Sequence, residues 1–419
     1  MRRRSLVFLA MSWAAAAAVA QPGPLVAPMP EAVVVVADRV FDGRGEVAEG
    51  RAVVVRDGRI ERLVAAAELA SDPSLGGLRR IELPGSSLLP GLIDTHVHIG
   101  WSFGLDGRTM TADGPESPEQ RALLAAENAA RTLRAGVTTV QSLGEELDLE
   151  LRDAIARGTL PGPRILTSAG AIVDPGLEPA QLRLAVRGFQ QRGADVIKVF
   201  ASASIRVGGT PTLSQEQLDA ICGEASAAGL RSVVHAHSPE SARRVAEAGC
   251  TAVEHGALLD RPTLELLAER GVYYDPNIDL VLRNYFENEE RFLGVGSYTA
   301  EGFAQMRAAV PRALETFRAA LEVDGLKTVF GTDALAGAHG RNVEELVYRI
   351  REGGQPVLEA ITSATALAAE SLGLGDEIGT VAPGYVADLI AVAGDPREEP
   401  EALLAVRFVM ARGAVVRRD

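Results

Sequence analysis

The chain has 419 residues, is 47% hydrophobic and 23% charged, and carries a formal net charge of −14. That length buries a large core and allows one to three domains, and the composition is that of a soluble globular protein. Lysine occurs only twice among 42 basic residues, the arginines are dispersed, and acids outnumber them, which argues against nucleic acid or an anionic membrane as partner.

At the start, Arg2-Arg-Arg4 precedes an apolar stretch from Leu6 to Ala20 that ends Ala18-Val19-Ala20 before Gln21. A basic n-region, a short apolar h-region and an A-x-A site read as a secretory signal over residues 1–20, cleaved after Ala20, with export to the periplasm or beyond. The stretch is too short and too abruptly ended for a good transmembrane span. An uncleaved anchor is the alternative, and the arginine run leaves Sec and Tat routes both open. Cleavage would remove three arginines and no acid, taking the net charge from −14 to −17. No membrane association is expected after cleavage. Pro-rich residues 21–31 read as disordered.

Residues 32–65 hold two β-rich runs, Ala32 to Val36 and Arg51 to Val55, and an Asp57-Gly58 turn leads into Arg59–Val64 as a hairpin. The C-terminal runs Gly379–Val392 and Val406–Val416 also read as strands. The expectation is one small β-sandwich domain built from residues 21–88 and 376–419, flanking a barrel over residues 89–375.

Between them a unit repeats: a helix-like segment ends at glycine, and a strand-like run follows. The stops are Gly136, Gly193, Gly229, Gly249, Gly271 and Gly325, residues suited to the left-handed end of a helix. The apolar runs that follow suit buried parallel strands. With the strand ending at His98 and Arg164–Ser168 the count is eight, so the predicted fold class is α/β, a (β/α)8 TIM barrel whose site lies at the strand C-termini. A doubly wound open sheet is the alternative, but no glycine-rich dinucleotide fingerprint or P-loop occurs. Cys222 and Cys250, the only cysteines, read as two buried thiols, with a disulfide open as the alternative in an oxidising compartment.

His96 and His98 form a His-x-His pair after the apolar run Leu88–Val97. Residues i and i+2 of a strand face one side, so both imidazoles would point into the barrel mouth and could hold a metal. Lys198 lies in Asp195-Val-Ile-Lys-Val-Phe200, a buried-strand pattern. A buried amine is expensive unless paired or neutralised. Reaction with carbon dioxide would make it an anionic carbamate that bridges two cations, which arginine cannot do because it stays protonated. Lys327 begins a strand and reads as surface.

Pro90-Gly-Leu-Ile-Asp-Thr-His-Val-His98, Ile197-Lys198, Val233-Val-His-Ala-His-Ser238, Val253-Glu-His-Gly256 and Gly331-Thr-Asp-Ala334 together resemble the amidohydrolase superfamily. Over about residues 32–419 the chain resembles its binuclear branch of prolidase-like and imidazolonepropionase-like enzymes. The resemblance implies His96, His98 and Asp333 on one divalent metal, His235 and His255 on a second, and N6-carboxylated Lys198 with a hydroxide bridging them. Zinc is the default for such ligands. Asp333 and Lys198 are then the catalytic pair, with Asp333 moving the proton.

His237 shares a face with His235 and is read as a substrate group, although either could be the ligand. His339, Tyr273, Asn277 and Arg283 are further candidate substrate residues, each with a plain structural alternative. Two loops depart from the relatives: Ala169–Leu177 has no histidine, and a Gly-Gly pair is displaced to Gly208-Gly209. The expected activity is hydrolysis of amide-like C–N bonds in a small molecule, such as a dipeptide, an N-acyl amino acid or a cyclic amide. Lactone or ester hydrolysis is the first alternative, and a mononuclear deaminase the second. His237-Ser-Pro-Glu240 matches the spacing of such a deaminase, but Lys198 does not fit it. A homo-oligomer is expected.

Overall fold

A computed structural model describes residues 32–419; the expected signal segment and the Pro-rich stretch after it lie outside the described residues. The β-rich ends pair as their alternation predicts. Ala32–Phe41 runs antiparallel to Arg51–Arg56, which turns into Arg59–Ala65. Asp57 and Gly58 make that turn with φ of 49° and 77°, the two-residue geometry that matches the twist of paired strands. Leu389–Ala393, Val406–Ala411 and Ala414–Arg418 join from the other end of the chain.

A twelve-residue strand, Arg79–Pro90, connects the two sets. It is parallel to Ala32–Phe41 on one side and antiparallel to Leu389–Ala393 on the other. Hydrogen bonding therefore runs through one mixed eight-stranded sheet, where two facing sheets were expected. Both faces are covered: Val33, Val35, Val53, Val55 and Ile81 pack on one, and Val34, Ala52, Val54 and Leu75 on the other. The apolar run Leu88–His98 is not one strand. It breaks at Gly91, where a Cβ would stand 2.1 Å from the Thr138 side chain, and the chain then starts Leu92–Val97.

The middle of the chain is α/β and TIM-barrel-like. Leu92–Val97, Val137–Ser142 and Arg164–Thr167 form one parallel arc. Ala171–Ile172, Val196–Phe200, Arg231–Ala236, Ala252–His255 and Tyr273–Asp275 form a second. The last expected strand, Leu326–Phe330, forms isolated bridges at Tyr274–Thr328, with Val97–Ala334 just beyond it. It lies between the arcs: Val329 donates its N–H to Tyr274 (2.9 Å), while Thr95 and His98 donate theirs to Phe330 (2.9 Å) and Ala334 (2.8 Å).

Three of the intervening helices begin at serine caps. Ser117, Ser214 and Ser238 each accept from the backbone N–H three residues on, before Pro118–Arg134, Gln215–Ala227 and Pro239–Glu247, satisfying donors that a helix start leaves free. All six expected glycine stops take positive φ.

Cys222 and Cys250 form a disulfide with Cα atoms 5.1 Å apart, which corrects the reading of two thiols. Cys222 faces the core from helix Gln215–Ala227, and Cys250 lies in the turn before Ala252–His255, so consecutive β/α units bring together residues 28 apart in sequence. Among the described residues, no helix is long and apolar enough to cross a membrane.

Candidate active site

Parallel strands that alternate with helices all end on one side, so strand-end side chains converge there. His96, His98, Lys198, His235, His237, His255 and Asp333 all line a single cavity of about 460 Å³. Asp333 Oδ1 stands 3.1 Å from His98 Nε2 and 3.5 Å from His96 Nε2. Lys198 Nζ lies 3.3 Å from His96 Nε2. Ring centroids of His235 and His255 are 4.6 Å apart, and those of His96 and His255 5.1 Å apart. Asp333 is also tied to the first strand by its backbone, donating its N–H to His96 O at 2.7 Å.

His255, Asn277 and Asp333 take φ of 67°, 43° and 52°. Non-glycine residues rarely occupy this region, and each costs about 1–3 kcal/mol unless its surroundings enforce it. Three such residues around one cavity mark a strained site at the strand ends.

The donor set fits a metal. Ligand atoms of His96, His255 and Asp333 lie within 4.8 Å of one another. The buried His235 Nε2 has no hydrogen-bond partner, and a buried polar atom left alone is costly. Burial holds the imidazoles of His96, His235 and His255 well below their ordinary pKa, helped by neighbouring histidines and Lys198. They are therefore neutral at physiological pH, the form that binds a metal. Burial likewise lowers the Lys198 amine, against the pull of Glu254 and Asp333.

A second layer of groups sets these side chains. His96 Nδ1 meets Glu254 Oε2 at 2.6 Å, which directs the other ring nitrogen at the cavity. Burial raises Glu254 to about 7, and burial together with Glu254 raises Asp275 well above the carboxylate range. Thr95 Oγ1 and Asn277 Nδ2 donate to Asp275 at 2.7 and 2.9 Å. The Trp101 ring stacks on His98, centroids 4.0 Å apart and 13° from parallel.

The expected substrate residues divide. His237 and Asn277 line the cavity; His237 Nδ1 and Asn277 Oδ1 are buried without partners. Burial, then the charge of Arg206, brings His237 down to about 3. His339, Tyr273 and Arg283 do not line it. His339 is buried, with Nε2 3.1 Å from the Trp101 backbone carbonyl oxygen, so it contacts the main chain of the residue whose ring stacks on His98. Tyr273 starts its short strand and hydrogen-bonds Glu370 at 2.9 Å, beside Lys327. Arg283 is taken up by Asp279 and Glu344 at 2.9 and 2.8 Å. The displaced Gly209 has a reason: at φ 66° it abuts His237, and a Cβ would lie 2.8 Å from the His237 Cβ.

Residues 87–416 match the family model described as the amidohydrolase family. The chain belongs to the amidohydrolase family. This amidohydrolase is 28% identical over 410 residues to ochratoxinase of Aspergillus niger, covering 87% of this chain and 82% of that protein. It is 28% identical over 388 residues to imidazolonepropionase of Ralstonia nicotianae, covering 83% and 87%. A crystal structure of a Xaa-Pro dipeptidase with methionine bound in its active site aligns with a TM-score of 0.81 at 30% identity, covering 92% of this chain and all of that one. The amidohydrolase is thus a hydrolytic enzyme acting on C–N bonds.

The sequence reading did not single out Arg206, Tyr285 or Tyr298, which line the cavity, nor Trp101. Glu254 was visible inside Val253-Glu-His-Gly256, and its burial beside His255 was the available signal.

Proposed function

We propose that this amidohydrolase is an exported binuclear metal hydrolase that cleaves amide bonds of small molecules such as dipeptides, N-acyl amino acids or cyclic amides. The convergence of five strand-end ligand residues with Lys198 on one cavity carries the reading. His96, His98 and Asp333 would hold one divalent ion, and His235 and His255 a second, zinc being the default. The eight strands are read as a (β/α)8 barrel over residues 89–375, with the terminal sheet as a second domain. The ions, when bound, would supply an activated water and polarise the scissile carbonyl.

Burial lowers the Lys198 amine, and its neutral form would add to the carbon of carbon dioxide with loss of a proton, giving an anionic carbamate able to serve as a further ligand for the ions. Asp333 would take the proton of the attacking water and pass it to the leaving amine. Burial works against its carboxylate, but His96, a hydrogen bond from His98 and Lys198 keep it below the ordinary range. Asn277 offers an unpartnered carbonyl oxygen to a substrate N–H.

Export rests on residues 1–20 and is supported by the Cys222–Cys250 disulfide, a bond that persists in oxidising compartments. N-terminal sequencing of secreted protein should begin at or near Gln21; a soluble cytoplasmic product starting at Met1 contradicts export. For the chemistry, metal-loaded protein is assayed against dipeptides, N-acyl amino acids, lactones and aminated bases. Amine release by the wild type, abolished in a folded Asp333→Asn variant, is expected. Ring opening of lactones alone, or ammonia released from aminated bases, would replace this reading with one of its alternatives.

A further inference from the structure

The cavity holds a guanidinium that the hydrolytic step does not use. Arg206 lies in the short turn Ile205–Val207 after strand Val196–Phe200 and lines the cavity. Ser204 Oγ accepts its backbone N–H at 3.3 Å. Its Nε donates to Ser297 Oγ at 2.9 Å. Its guanidinium carbon sits 4.1 Å from the Tyr298 ring centroid and 5.8 Å from that of Tyr285, and the Tyr298 hydroxyl donates to the Tyr285 hydroxyl at 2.9 Å. A long side chain is thereby held in one place.

Several other arginines meet acids: Arg283 pairs with Asp279, Arg341 with Glu287 and Arg349 with Glu345. Among the described residues, no carboxylate lies within 4.0 Å of the Arg206 guanidinium. Of the acids lining the cavity, Glu145 and Asp333, neither forms an ion pair with it, and Asp333 acts on it only through space. Aromatic faces compensate a desolvated cation only in part. Its side-chain hydrogen bonds run to Ser297, Tyr285 and Tyr298, none of them a carboxylate, so the five-donor planar fork still lacks the anionic partner that it receives through two parallel bonds. Beyond it the wall is apolar, with Val281, Leu282, Phe292 and Met306.

We propose that Arg206 is a specificity-determining residue whose guanidinium receives an anionic group of the substrate, selecting carboxylate-bearing amides over their neutral counterparts. The adjacent apolar wall would hold a large nonpolar group of the same substrate. This rests on reading the cavity as the amide-hydrolysing site.

The test compares wild type, Arg206→Met and Arg206→Lys on N-acetyl-phenylalanine and on its uncharged carboxamide, following acetate release. Arg206→Met should lose roughly 10- to 100-fold in kcat/KM on the carboxylate substrate, the range for a charge-assisted hydrogen bond, and leave the carboxamide unchanged. Arg206→Lys should recover part of the loss, because it restores charge without the fork. Equal losses on both substrates, or no loss on the carboxylate, overturn the assignment. If the wild type turns over no amide, the hydrolase reading fails separately, and recognition is read by calorimetry with 3-phenylpropionate and 3-phenylpropionamide. Weaker binding of the anion alone in Arg206→Met supports the anchor; equal binding by wild type and variant refutes it.

Discussion

Glu254 Oε2 lies 2.6 Å from His96 Nδ1, with both side chains buried. This contact fixes which His96 nitrogen faces Lys198 and Asp333. Glu254→Ala should therefore weaken metal binding by about 10- to 100-fold, and Glu254→Gln, which keeps an acceptor, by less. Competition against a chromophoric chelator measures both. Unchanged affinity in the alanine variant would mean that His96 needs no such orientation.

Asp148 offers a pH-dependent test outside the donor set. Burial, with Glu145 nearby, raises it to about 7 from an ordinary 3.8, while Ser142 Oγ donates to it at 2.7 Å. The folded state then keeps a proton that the unfolded chain has released. Its stabilising contribution is full below about pH 4, falls as pH rises towards 7, and is flat above. The span is at most about 4 kcal/mol, at 1.36 kcal/mol per unit. Asp148→Asn should flatten the stability–pH curve across that window, measured as urea unfolding midpoints. Parallel curves for wild type and variant would contradict the burial argument.

The Cys222–Cys250 bond closes a loop between residues 28 apart. Chain-entropy reasoning gives such a cross-link about 3–4 kcal/mol. The double variant Cys222→Ala, Cys250→Ala should lower the unfolding midpoint accordingly, and wild-type protein unfolded without reductant should show no free thiol. Two titratable thiols would restore the reading that the sequence alone favoured.

Much of the cavity lining was legible because it is built from residues that are scarce in this chain and placed at strand ends. His96, His98, Lys198, His235, His255 and Asp333 could be found in this way, and all line the cavity. The helix stops and the Asp57-Gly58 turn were legible because glycine and aspartate suit the backbone geometry there. What stayed hidden depends on contacts between distant segments. Tyr298 reaches Arg206 from a loop 92 positions along the chain, and no local pattern announces that. Tyr273 and Arg283 do not line the cavity, and position on a strand or helix does not disclose their partners: Glu370 holds one, and Asp279 with Glu344 the other. The eighth strand is reduced to bridges, which an apolar run cannot disclose. The disulfide was undecidable because pairing depends on the distance between two β/α units.

The central claim is a binuclear centre that Lys198 helps to hold, and metal content tests it most directly. Elemental analysis of purified protein loaded with zinc and then dialysed should find about two ions per chain in the wild type, and Lys198→Ala should lose one or both while remaining folded. A single ion per chain, unchanged by Lys198→Ala, would contradict the account.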